Sequence, residues 1–291
     1  MSSSAGGKHS RRNGDLIVDS LEQFKKSQKQ SWASFIPFEF VTTRTAAHLV
    51  RFAEVLRGQH LLDVGCGTGV VAITAAQHGA VVTGLDLTPE LLAHARENAL
   101  ATQVTITWKE GDVESLPFED GSFDVVLSQF GHMFAPRADM ALREMLRVLK
   151  RGGRIAFSTW PPQLFTGKMF ALVAKFLPPP PLPVDPPPQW GNPDIVRQRL
   201  GDTVTDILFD TGRMLFPTLG PSHLRMFYER HAGPVLRVVQ NLQTDANRLE
   251  AFRHEFDALA AAYFQDNCIR QDYLMTRAVK VGGFHPSPQP S

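Results

Sequence analysis

The chain has 291 residues, with 30 Lys and Arg against 29 Asp and Glu, for a net charge of +1. That length suits one elaborated domain or two and can bury a core without staples, while the charge balance argues against a dedicated nucleic-acid binder. No run reaches the ~18 apolar residues of a membrane span, residues 1–14 lack the apolar segment of a secretory signal, and two cysteines make neither a disulfide framework nor a zinc cluster, so the expectation is a cytoplasmic protein with no metal and no transmembrane segment.

Residues 1–14 are small, polar and basic and read as a disordered tail. Residues 15–45 carry Phe24, Trp32, Phe35, Phe38 and Phe40 and predict short lid helices broken at Pro37. A helix is expected over 43–56, closed by Gly58. From there the pattern alternates. Residues 61–64 predict a buried strand, 70–78 a helix, 80–86 a second strand, and 89–99 a helix with Thr88 as N-cap and Pro89 at its first position. Residues 104–110 and 123–130 predict strands three and four. Leu142, Met145, Leu146 and Leu149 fall at i, i+3, i+4 and i+7, the stripe of a core-facing helix, and Gly152-Gly153 turns the chain into a fifth strand over 154–160. Strands separated by helices of this length predict parallel pairing with right-handed crossovers.

After Trp160 the rhythm breaks. Residues 164–177 predict a helix, and 178–188 hold eight prolines in eleven residues, which predicts an extended surface stretch within a Pro-rich lid segment, 161–192. A helix over 193–200 and a strand near 203–209 form a core unit, 193–217. Helices over 222–242 and 244–265 make a second lid insertion, 218–267. Residues 272–281 predict the last strand, within a closing core segment 268–281, and 282–291 read as a tail.

The strongest local signal is Asp63-Val64-Gly65-Cys66-Gly67-Thr68-Gly69, between the first strand and the following helix. In open α/β sheets, ligands bind beyond the carboxyl ends of the strands, and glycine is needed where backbone must approach a ligand closely. Val70 stands where a dinucleotide fingerprint places its third glycine, and an acid two residues before the first glycine suits a cationic ligand better than a pyrophosphate.

With Asp86 at the end of strand two, Gly111-Asp112-Val113-Glu114, Leu116-Pro117-Phe118, Ser122-Phe123-Asp124, the run 144–150 and Gly152-Gly153, this segment resembles the class I S-adenosylmethionine (SAM)-dependent methyltransferases. Within them it is similar to the type 11 domain branch that includes quinone C-methyltransferases and many small-molecule methyltransferases. The resemblance implies a Rossmann-like α/β core over 46–160, in a seven-stranded, mostly parallel sheet with an antiparallel last strand beside strand five and helical lid insertions. It implies SAM as cofactor, with Gly65, Cys66, Gly67 and Gly69 along the methionine moiety and Asp63 on its ammonium. Asp86 would take the ribose hydroxyls, Leu87 pack on the adenine, Asp112 and the Val113 backbone N–H pair with the adenine, and Gln129 lie near the methionine end.

The resemblance further implies methyl transfer to O, N or C of a small, hydrophobic or aromatic acceptor. The pocket candidates are Trp32, Phe35, Phe38, Met133, Trp190 and Tyr228, and His132 is the candidate general base. The run Gly131-His132-Met133-Phe134 departs from the family's quinone enzymes, which carry a Gly-Leu-Arg-Asn-like run there. Two alternatives stay open at this point: a non-catalytic SAM-binding protein and an NAD(P)-dependent oxidoreductase. The oligomeric state is not legible.

Overall fold

The computed structural model describes residues 21–180 and 184–281. The tails at 1–14 and 282–291, the start of the first lid segment, and residues 181–183 of the proline run lie outside the described residues.

Residues 21–32 are helical (α1) and run through a 3-10 turn, Ala33–Phe38, into α2 (Glu39–Phe52). Alternation then builds β1 (His60–Val64), α3 (Val70–Gln77), β2 (Val81–Asp86), α4 (Pro89–Ala101), β3 (Thr107–Glu110), β4 (Phe123–Gln129), α5 (Ala138–Val148) and β5 (Leu149–Thr159). After β5 come α6 (Phe165–Phe176), α7 (Pro193–Leu200), β6 (Val204–Pro217), α8 (Pro221–His231), α9 (Gly233–Leu242), α10 (Ala246–Ala261), the two-residue β7 (Phe264–Gln265) and β8 (Cys268–Lys280).

The strands lie in the order β3-β2-β1-β4-β5-β8-β6, with β7 paired to β8 off this path. Strands β1 to β5 are mutually parallel, and β8 inserts antiparallel between β5 and β6. The seven-stranded expectation therefore holds for the main path, with β7 as a short addition. The order reverses beside β1, so the carboxyl ends of β1 and β4 flank the switch point where ligands bind in such sheets.

One face is covered by α2 and α3, whose Ala46, Leu49, Val50, Val71, Ala72 and Ala75 pack on Leu61, Val82, Val125 and Leu127. The other is covered by α5, which buries Ala138, Ala141, Leu142, Met145, Leu146 and Val148 as the apolar stripe requires. Glu144 and Arg147 on α5 also clamp the loop after β3: Glu144 Oε2 accepts from Leu116 N at 2.8 Å, while Arg147 donates to the Leu116 and Phe118 carbonyls. Helices α6, α8, α9 and α10 form a separate helical layer over the carboxyl ends, contacting one another and the 3-10 turn at residues 33–38.

Several boundaries differ from expectation. Helix α2 begins at Glu39 because the 3-10 turn feeds straight into it, and it ends at Phe52 with Glu54, not Gly58, as the first left-handed residue after it (φ 52°). Strand β3 is confined to its last four residues. Strand β5 starts at Leu149, pairing with Phe123 before a register shift, and so runs through Gly152-Gly153. The expected 222–242 helix splits at Ala232, where Gly233-Pro234 opens a new helix. The following helix stops at Ala261. Asp266 and Asn267, both at left-handed φ (50° and 55°), then make a two-residue hairpin turn that starts β8 at Cys268. In the proline run, 178–180 and 184–186 carry no regular structure and are not buried, while its end departs from the expected surface stretch: Pro187 opens a 3-10 turn, Pro187–Gly191, and Pro188 is buried.

Candidate functional site

A cavity of about 1550 Å³, counting the space at its open mouth, lies between the carboxyl ends of β1–β4 and the helical layer.

Its floor is built by four strand ends. Asp63 lies at the end of β1 and Gly65, Cys66 and Gly67 follow it, Asp86 ends β2 and Leu87 follows it, Asp112 and Val113 follow β3, and Gln129 ends β4; all line the cavity. Gly69 does not. It N-caps α3 at φ 84°, and a Cβ there would lie 2.7 Å from the Trp108 ring of β3, so the position makes room for packing. Gly67 is at φ 54° and its missing Cβ would meet no atom within 4 Å, which leaves the loop backbone bare toward open space.

Two carboxylates are buried on this floor. Asp86 holds the loop: Oδ2 accepts from Gly67 N and Oδ1 from Thr88 N, each at 2.8 Å. Burial raises its pKa against those N–H donors. Asp63 is 1% exposed; Oδ2 accepts from Ala72 N at 3.0 Å, while Oδ1 has no partner among the described residues. Burial pushes Asp63 up to about 8, the Ala72 N–H opposes this, and the nearby Asp86 charge adds to it. Buried carboxylates with spare acceptor capacity call for a cation or a hydrogen-bond donor. The Cys66 thiol is pushed well up by burial, with Asp86 and Asp63 adding to it, so it stays protonated.

At the β3 end, Lys25 of α1 bonds both Asp112 and Glu114. Glu114 is fully buried and also accepts from Arg137 Nε at 2.9 Å. The first helix is thus tied across the cavity beside Asp112. Gln129 Nε2 donates to Thr42 O at 3.0 Å, leaving Oε1 without a partner.

The β1 and β4 loops are joined by Ser128, whose hydroxyl donates to Val64 O (2.7 Å) and accepts from His132 N (3.1 Å). Phe130 takes left-handed φ (60°) and stacks on Trp160 at 3.9 Å; a non-glycine residue there marks local strain. His132 is 1% exposed, with its ring 4.7 Å from both Phe157 and Trp190 and neither nitrogen bonded. Burial, then the charge of Arg199, pushes its pKa down to about 3.

Of the expected pocket residues, Trp32, Phe35, Phe38 and Tyr228 line the upper wall. Met133 and Trp190 do not: both are 1% exposed in the core, and Trp190 is held between His132, Phe157 and the Arg199 guanidinium. Phe134, Thr166, Met169, Phe170, Met214 and Gln271 complete that wall. Phe134 closes the run read after strand four, and Phe170 falls in the lid segment 161–192, whose aromatics the sequence offers to the pocket. Sequence reasoning missed Thr166, Met169, Met214 and Gln271, together with Lys25 and Ser128; none of these sits in a local pattern that marks a site.

Residues 62–157 match the family described as a methyltransferase domain. A relative from Mycobacterium tuberculosis, itself uncharacterized, is 35% identical over 235 residues, 80% of this chain and 85% of the relative. The chain belongs to the class I SAM-dependent methyltransferases. The malonyl-[acyl-carrier protein] O-methyltransferase of Erwinia pyrifoliae is 43% identical to this methyltransferase over 111 residues, 38% of this chain and 41% of that protein. The crystal structure of the Bacillus subtilis YcgJ protein shares its fold at a TM-score of 0.56 and 18% identity, covering 82% of this chain and all of that one. The cofactor of the methyltransferase is SAM, and the floor fits it: Gly67 leaves a bare cradle, and Asp63 Oδ1 is a buried acceptor awaiting a donor. Among the described residues no helix is long and apolar enough to cross a membrane, and no cluster of His, Cys, Asp and Glu could hold a metal ion.

Proposed function

We propose that this methyltransferase acts on a small, largely apolar acceptor held under the helical layer, with the described parts of 15–45 and 161–192, and with 218–267, serving as its lid. When bound, SAM supplies an electrophilic methyl group on a sulfonium that is already a good leaving system. The protein's part is then to bind, orient and exclude water.

On this reading Asp63 takes the ammonium through its free Oδ1, and the bare backbone at Gly65–Gly67 runs along the methionine chain. Asp86 keeps lone pairs for the ribose hydroxyls beyond the two spent on Gly67 and Thr88. Leu87 and Val113 flank the adenine, Asp112 accepts from its amine, and Gln129 Oε1 serves the methionine end. Trp32, Phe35, Phe38 and Tyr228 bound the acceptor. His132 serves as a wall: a buried ring packed between Phe157 and Trp190, with no carboxylate or other partner on either nitrogen among the described residues and its pKa pushed down to about 3, is a poor base.

The observation that carries the reading is the partnerless Asp63 Oδ1 on a floor beside the bare Gly67 backbone. The test is turnover of SAM against a panel of uncharged aromatic and aliphatic acceptors, read as S-adenosylhomocysteine formed. Acceptor-dependent product supports the reading. SAM binding without turnover on any acceptor favours a SAM-binding protein that does no transfer.

A further inference from the structure

The cavity divides by charge. Its charged lining residues are Lys25, Glu39, Asp63, Asp86 and Asp112. Asp63, Asp86 and Asp112 belong to the strand ends, and Lys25 is bonded to Asp112. Glu39 accepts from Asn98 Nδ2 at 2.7 Å, and the same amide donates to Thr68 O, so Glu39 stands over the glycine loop. Every charge therefore attaches to the cofactor half.

The other half is lined by aromatic, Met and neutral polar side chains. Tyr228 and Gln271, 4% and 2% exposed, both line it, and Gln271 Nε2 donates to the Tyr228 oxygen at 2.8 Å. That bond occupies the phenol as an acceptor. Its own hydrogen has no acceptor among the described residues. Thr166 Oγ1 in the same wall is likewise buried without a partner. Buried polar groups left unpaired cost free energy, so such a wall favours a ligand that completes them. A charged ligand group here would lose hydration without meeting an opposite charge.

We infer that Tyr228, oriented by Gln271, is the acceptor-positioning donor of this site, and that the acceptor is an uncharged, mainly apolar molecule whose oxygen accepts the Tyr228 hydroxyl hydrogen. The inference rests on the proposed function. Burial raises the Tyr228 pKa against the bond from Gln271, which keeps the phenol a donor at working pH.

The experiment uses the full chain saturated with S-adenosylhomocysteine, titrated by fluorine NMR with para-fluorophenol, fluorobenzene and para-fluorobenzoate. The phenol is expected to bind roughly 3–10-fold tighter than fluorobenzene, the worth of one hydrogen bond, and the benzoate more weakly than either. Tyr228→Phe should erase the phenol's advantage while fluorobenzene and S-adenosylhomocysteine bind as before. Gln271→Met, which removes the orienting amide and keeps the phenol, should shrink the same advantage. Preference for the benzoate, or an advantage that survives Tyr228→Phe, overturns the inference alone. Failure of S-adenosylhomocysteine to bind the folded protein overturns the cofactor reading, and the inference with it.

Discussion

Gly65 and Gly131 meet backbone to backbone where the β1 and β4 loops cross: a Cβ on Gly65 would lie 2.9 Å from Gly131 Cα, and one on Gly131 would lie 2.7 Å from the Gly65 carbonyl oxygen. Ser128, bridging Val64 O and His132 N, draws the same two loops together. The pair closes the floor of the cleft without a side chain between them. Gly131 sits at φ −81°, which any residue adopts, so Gly131→Ala tests the contact without a backbone penalty. It should cost about 1–3 kcal/mol of stability, as overpacking does, read as a lower midpoint in urea with unchanged slope. An unchanged midpoint would show that the loops move apart freely.

Asp63 sets a pH dependence. Its folded pKa is raised from an ordinary 3.8 to about 8, so between those values the folded chain keeps a proton that the unfolded chain has lost. The stability this contributes is fully present at low pH and declines as pH rises toward 8. Asp63→Asn should flatten that slope in the ligand-free protein. The wild type should release protons on binding S-adenosylhomocysteine near pH 6.5, where the ligand's ammonium favours the ionised carboxylate; calorimetry in two buffers of different ionisation enthalpy reads this. Equal apparent enthalpies in the two buffers would contradict the placement of Asp63 on the ammonium.

His132 should be silent in the pH–rate profile. With its pKa pushed down to about 3, the ring is neutral across the range of about pH 5–8 in which unperturbed histidines titrate. Steady-state rates of wild type and His132→Leu, measured with an ionisation-free acceptor, should show the same profile shape. An inflection near neutral pH in the wild type that is lost in the variant would restore His132 as a base.

Lys25 fastens α1 over the end of β3 through Asp112 and Glu114, where the proposed site takes the adenine. Lys25→Met keeps most of the stem and removes the charge. It should speed SAM dissociation several-fold, corresponding to about 1 kcal/mol for a partly buried pair, in a stopped-flow displacement. An unchanged dissociation rate would show that α1 does not hold the cofactor.

How much of this was legible follows from the range of the interactions. The α/β alternation and the glycine loop are local patterns, set by periodicity and turn chemistry, and they led to the fold class and the family. The strand ends carrying Asp63, Asp86, Asp112 and Gln129 come from the same motifs. Composition alone does not separate pocket aromatics from packing aromatics: Trp32 and Trp190 look alike in the sequence, yet one lines the cleft and the other is buried against Arg199. Lys25 with Asp112, and Tyr228 with Gln271, are separated by 87 and 43 residues. Only the topology brings them together. The hairpin at Asp266-Asn267 went unread because it lacks the glycine that normally marks such a turn.

The central claim is that the bare glycine loop holds the cofactor, and calorimetric titration of S-adenosylhomocysteine into wild type and Gly67→Ala tests it most directly. A Cβ at Gly67 meets no protein atom within 4 Å but enters the cradle; its left-handed φ adds a backbone cost of about 1 kcal/mol. The account predicts one site per chain in the wild type and at least about tenfold weaker binding in the folded variant, a loss of about 1.4 kcal/mol. A folded wild type that does not bind, or a Gly67→Ala protein that binds as tightly, would contradict it.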